Sequence, residues 1–113
     1  MIVDVEKVFI GVTTPPEYTE AIRNAMCDAG AGVMGNYSYC TLSLKNIGTF
    51  KPNEKANPYI GTKNNLEFVQ EDRIEVICEI SKVKQVIEAM KKIHPYEEPG
   101  IFIIPLIDVE TFK

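Results

Sequence analysis

Apolar residues recur at Tyr18, Ala21, Ile22, Ala25, Met26 and Ala29, a spacing that puts all six on one helix face. Thr14-Pro15-Pro16-Glu17 precedes them as a start signal. Thr14 is placed to cap, Pro15 suits the first helical position, and Glu17 completes a Thr-x-x-Glu capping box. Gly30 follows as the C′ stop. A second helix is predicted from a Ser81 cap, with Val83, Val86, Ile87, Met90 and Ile93 on its buried face. Lys91 and Lys92 suit the negative end of its dipole, and Pro95 ends it.

Elsewhere the period changes to two. Residues 6–13, with Val8, Phe9, Ile10 and Val12, read as a strand. Tyr37 to Leu44 reads as another, with Cys40, Leu42 and Leu44 on the parity expected to face the core and Tyr37, Tyr39 and Thr41 on the other. Leu66 to Ile80 alternates throughout, although Gln70 and Asp72 interrupt its apolar parity. Its first half is therefore expected to run beyond the core and re-enter it near Ile74. Ile101 to Ile104 is a last strand, apolar on both parities and closed by Pro105. Residues 45–65 are predicted irregular, with Phe50 and Pro58-Tyr59-Ile60 as anchors; a connection that long in a small domain is often functional.

The order β-α-β-β-α-β is the split-βαβ pattern of a ferredoxin-like α+β sandwich: a four-stranded antiparallel sheet with two helices on one face. The other face is not polar, since Phe9, Tyr37, Tyr39, Val69 and Ile77 fall on or near it, and the last strand is expected at an edge. A monomer would expose an apolar patch and an unprotected edge. The expectation is a homo-oligomer, with a trimer preferred.

Composition narrows the classes of function. At 113 residues the chain is read as a single domain, 1–113. With 12 Lys+Arg against 16 Asp+Glu and no basic run, it has no electrostatic footprint for nucleic acid. No apolar run is long enough to span a membrane. Asp4 and Glu6 stand where a leader would carry basic residues, so a cytoplasmic location is expected. The three cysteines, Cys27, Cys40 and Cys78, are widely spaced and odd in number, which reads as reduced thiols. One histidine, His94, excludes any metal site that needs two from one chain.

The densest polar cluster is His94-Pro95-Tyr96-Glu97-Glu98-Pro99. Imidazole and carboxylate are ordinary ligands for zinc and similar ions. The same residues also read as a helix C-cap followed by a solvated turn. A second cluster, Gly32 to Cys40, is glycine-rich but matches neither a phosphate loop nor a dinucleotide fingerprint. It also reads as a tight helix-to-strand turn.

Together these motifs resemble a known family. Gly30-Ala31-Gly32-Val33-Met34-Gly35-Asn36-Tyr37-Ser38-Tyr39-Cys40, Gly48-Thr49-Phe50-Lys51-Pro52, Asn57-Pro58-Tyr59-Ile60-Gly61, Arg73-Ile74-Glu75 and the His94 cluster occur in the order found in the PII/CutA-like inserted domain of the Nif-three-like proteins. Where that family continues with Ala-Tyr-Asp, this chain has Gly100-Ile101-Phe102, so an acid is missing. The resemblance implies a CutA- and PII-related fold that assembles as a trimer. It is expected to stand alone here, without the metal-bearing core of the larger relatives.

The function expected is an oligomeric, non-enzymatic module binding a small ligand or a divalent metal, zinc or copper, between subunits. His94, Glu97 and Glu98 are the expected metal ligands. Asn36, Tyr37, Cys40 and Tyr96 are the expected ligand-binding residues. The alternative is a domain that docks a partner protein, with the His94 cluster purely structural. A cysteine-dependent enzyme is a third reading and would need an exposed thiol of low pKa.

Overall fold

The computed structural model describes residues 4–113. Strand β1 (Lys7–Thr14) leads through a short 3₁₀ turn into helix α1 (Thr19–Asp28). Strands β2 (Thr41–Phe50) and β3 (Glu67–Glu79) follow, then helix α2 (Val83–Ile93) and strand β4 (Ile101–Leu106). The sheet order is β2-β3-β1-β4 and every neighbouring pair is antiparallel. This is the expected β-α-β-β-α-β sandwich.

The core lies where one parity of the sheet meets the two helices. Val8, Ile10 and Val12 of β1 and Ile74, Val76 and Cys78 of β3 are buried against Ile22, Met26 and Cys27 of α1 and Val86 and Met90 of α2. Helix starts differ from the expected devices. Thr14 does not cap α1: its hydroxyl donates to the Pro15 carbonyl at 3.2 Å, and Pro16–Tyr18 form a 3₁₀ turn before the helix. Ser81 likewise lies inside a 3₁₀ turn, Ile80–Lys82, with no side-chain cap on α2. Gly30 does stop α1: at φ 119°, its N–H donates to the Cys27 carbonyl at 3.0 Å.

Strand β2 begins later and ends later than its sequence pattern suggests. Met34 and Tyr37 close a turn over Gly35-Asn36 and residues 38–40 are irregular, so Tyr37 and Tyr39 are off the sheet. Residues 45–50 continue the strand, leaving a loop from residue 51 to residue 66. The expected inward parity is also reversed. Ser43 is the residue level with buried Ile74, whereas Leu42 and Leu44 are level with Glu75 and Arg73 on the open face. Leu42 is 55% exposed, and Cys40 is half-buried outside the core. An edge strand beyond the reach of both helices has no core to choose its parity.

Beyond Asp72, the partner of Thr14, residues 67–71 of β3 pair only with β2. The hairpin therefore projects as an arm, and Phe68 is 71% exposed on it. The radius of gyration, 15.8 Å, exceeds the roughly 13 Å of a compact domain of this length. Strand β4 holds the other edge with no partner beyond it among the described residues; Pro105 lies within it, opposite Val8, where a missing N–H is tolerated.

Candidate functional site

The His94 cluster begins where α2 ends. The His94 N–H still donates to the Met90 carbonyl at 3.1 Å, but its ψ of 130° turns the chain away from the helix. Its ring lies against β1, 8% exposed. Nε2 sits 2.8 Å from the Thr13 carbonyl. A carbonyl only accepts, so Nε2 carries the proton, and Nδ1 is then free to accept the Tyr96 N–H at 3.1 Å. The ring is thus a neutral tautomer with both nitrogens engaged. Burial, chiefly, holds its pKa below the ordinary imidazole value.

Tyr96 carries the network across the sheet edge. Its hydroxyl donates to Glu71 Oε2 at 2.7 Å, while Asn46 Nδ2 donates to Oε1 at 3.3 Å. Burial and then the bond to Glu71 push the Tyr96 phenol well above its usual range. Glu71 is buried, 8% exposed, although its neighbours Gln70 and Asp72 are not. Gly48 makes room for it, since a Cβ at that position would collide with the Glu71 carboxylate. Ring contacts continue outward: His94 to Tyr96 at 4.9 Å, Tyr96 to Tyr59 at 6.2 Å and Tyr59 to Tyr18 at 6.1 Å between centroids.

These groups bound a cleft of about 700 Å³ between the arm, the 51–66 loop and the segment from Tyr96 to Gly100. That volume is within the usual range for a small-molecule site. Phe50, Pro52, Pro58 and Tyr59 give apolar walls, and Glu71, Glu97 and Glu98 supply carboxylates. Glu97 also fastens the loop: its two oxygens accept the Asn57 N–H at 3.1 and 3.2 Å.

Of the residues singled out from sequence, Tyr96, Glu97 and Glu98 line this cleft, and His94 stands behind it. No three His, Cys, Asp or Glu side chains converge as ligands among the described residues, and neither His94 nitrogen has a lone pair to spare. Asn36, Tyr37 and Cys40 are elsewhere. Their turn is tied to the far end of β3 by Gly32 N–H to the Ile77 carbonyl at 2.8 Å and Cys40 N–H to the Gly32 carbonyl at 2.8 Å. The His94 end of the sheet pairs Thr13 with Arg73 and the turn's end pairs Phe9 with Ile77, a separation of roughly 13 Å at about 3.3 Å per residue.

Glu71, Asn46 and Gly48 were missed by pattern reading. Glu71 sits on the polar parity of β3, where a carboxylate reads as solvent-facing. The one signal was the glycine opposite that stretch: Gly48 is level with Val69 in the register and marks a close approach. Cys27 and Cys78 are buried, and burial raises both thiols, the opposite of an activated nucleophile.

A comparison with protein-family models returned no match. Relatives are nevertheless clear. A protein of Halalkalibacterium halodurans named GTP cyclohydrolase 1 type 2 homolog is 50% identical over 95 residues, 84% of this chain and 26% of its own length. Its namesake from Bacillus subtilis is 46% identical over 97 residues, again 26% of that protein. The chain therefore spans about a quarter of the length of the curated relatives it matches. Among solved structures, a Bacillus cereus protein related to NIF3 superposes with a TM-score of 0.81 at 40% identity, covering 96% of this chain and 27% of that one. The divalent cation tolerance protein CutA of Archaeoglobus fulgidus superposes at 0.69 with 21% identity, covering 94% and 90%. The Bacillus subtilis GlnK–ATP complex superposes at 0.61 with 14% identity over 89% of this chain, which adds likeness of fold alone. By sequence this chain is homologous to a quarter-length segment of the NIF3-related proteins, and by fold it is a CutA- and PII-like ferredoxin sandwich.

Proposed function

We propose that the chain is a cytoplasmic, homotrimeric binding module that takes a small ligand in the Tyr59–Tyr96 cleft and catalyses no reaction of its own. The observation that carries this reading is the cleft itself: apolar walls around a few fixed polar groups, with no cysteine among its lining residues. Tyr96, Glu97 and Glu98 would contact the ligand, and His94 would hold Tyr96 in place. Full engagement of His94 favours a small ligand over zinc or copper. Asn36, Tyr37 and Cys40 are too far away to join this cleft within one chain, so a site using both clusters would form only between subunits. The relatives named GTP cyclohydrolase 1 type 2 homolog are about three times as long as this chain, so that name describes far more than the segment that bears the cleft.

The cleft is tested by titrating a fragment library while following backbone amides by NMR. Shifts concentrated at Tyr59, Tyr96 and Glu97 are expected. A library in which no fragment moves those resonances removes the binding role.

Assembly is supported by the apolar face and edges. Leu42, Leu44, Phe102, Ile103 and Ile104 are all exposed, and Ile103, at 49%, sits on an unpaired edge strand. Light scattering after size exclusion should give three times the chain mass of 12.7 kDa. A monomer across the concentration range would instead favour the second reading, in which that face docks a partner protein and the His94 cluster is structural.

A further inference from the structure

We infer that the occupant of the cleft carries a cationic head group, an ammonium or a guanidinium, which pairs with Glu71 beside the Tyr59 and Tyr96 rings. The inference rests on the binding role proposed above and names the chemistry of its ligand.

Glu71 is the one buried acidic side chain among the described residues, and it lines the cleft. Both of its oxygens accept, from Asn46 and from Tyr96, which is the pattern of an ionised carboxylate. Yet it has no basic partner among the described residues. The ion pairs among the described residues join Arg73 to Glu75 and Lys113 to Glu110. A carboxylate withdrawn from water is costly unless an opposite charge compensates it, and hydrogen bonds from two neutral donors do so only in part. Each oxygen retains a second acceptor position for a ligand N–H.

The surroundings select the same sign. Glu71, Glu97 and Glu98 face Lys51 and Lys55 around the cleft, so carboxylates outnumber ammonium groups; Lys51, Lys55, Glu97 and Glu98 are all exposed, which leaves Glu71 as the one buried charge there. Tyr59 and Tyr96 present aromatic rings, whose faces attract cations more strongly than neutral polar groups. Gly48 supports this arrangement structurally. Without a side chain there, the carboxylate can lie against the strand while remaining at the cleft.

The test compares ligands of equal shape and different charge. Butylguanidinium and butylurea, and phenethylamine and phenethyl alcohol, are titrated into the intact protein with amide NMR as the readout. The cations are expected to bind at least about tenfold more tightly than their neutral counterparts, the usual advantage of a hydrogen bond to a charged group. Glu71→Gln, which keeps the volume and loses the charge, should abolish the preference. Equal affinity within each pair, or a preference that survives Glu71→Gln, overturns the inference. The pairwise comparison in wild type stands even should that variant not fold. If fragments that are neutral or anionic enter the cleft while the cations do not, only the cationic assignment fails. If nothing enters it, the binding role fails as well.

Discussion

His94→Ala should lower stability by about 2–4 kcal/mol, because it strips partners from two backbone groups of half-buried residues and removes a buried ring. The Thr13 carbonyl loses Nε2–H and the Tyr96 N–H loses Nδ1. Neither can be re-satisfied by an alanine. In a domain of this size the melting temperature should fall by roughly 10 °C or more. Tyr96 would also lose its anchor, so the damage should reach the cleft. Urea titration of the variant measures this. A loss no larger than that of an exposed substitution would mean that the ring is not held as described.

The same residue sets a pH dependence. Burial holds the folded pKa of His94 below its ordinary 6.5. Between those two values the unfolded chain takes up a proton that the folded chain does not. The contribution of neutral His94 is therefore complete above pH 6.5, declines as pH falls below it, and is lost once pH has passed through the folded pKa. His94 is the one histidine of the chain, and imidazole is the side chain whose ordinary pKa lies there, so the window just below 6.5 belongs to it. Urea midpoints across that window should slope in wild type and flatten in His94→Gln. An equal slope in both would assign the effect elsewhere.

The second large effect concerns Glu71. Tyr96→Phe removes the hydroxyl that donates to Oε2 and should cost about 1–3 kcal/mol. Gly48→Ala should be comparably harmful, against the general rule that alanine is easier to order than glycine in a strand. The added Cβ would displace the Glu71 carboxylate and break the same contact. Because both changes act on one interaction, the double variant should lose less than the two single losses combined. Denaturation of all four proteins gives the coupling directly. Strict additivity would separate Gly48 from Glu71.

The helices and β3 were legible along the chain because burial there is local and periodic. Ile22 and Met26, Val86 and Met90, and Ile74, Val76 and Cys78 each sit on the parity or face that their spacing predicts. Strand β2 was less legible. Leu42 and Leu44 alternate as though they faced a core, but the register puts them on the open face. Periodicity reports that one side is apolar; it does not report which side a neighbouring element covers.

The candidate site divides in the same way. The proline-bracketed run from His94 to Pro99 stood out by its density of polar groups, and its place after the second helix followed from the element order. What its members do did not. Whether a histidine is a ligand or a strut depends on what meets its two nitrogens, and those partners, Thr13 and Tyr96, are 81 and 2 positions away. Glu71 reaches Tyr96 across 25 positions.

The sequence by itself determined the element order, the sandwich class and the kinship with the NIF3-related segment, because each is written in short-range spacing or ordered motifs. Only the tertiary structure decided that the two glycine- and histidine-centred clusters lie at opposite ends of the sheet, that His94 is fully bonded, and that a buried carboxylate with no basic partner among the described residues lines the cleft. Those features are set by strand register and by loops meeting across long separations. A chain read one residue at a time carries the groups but not the distances between them.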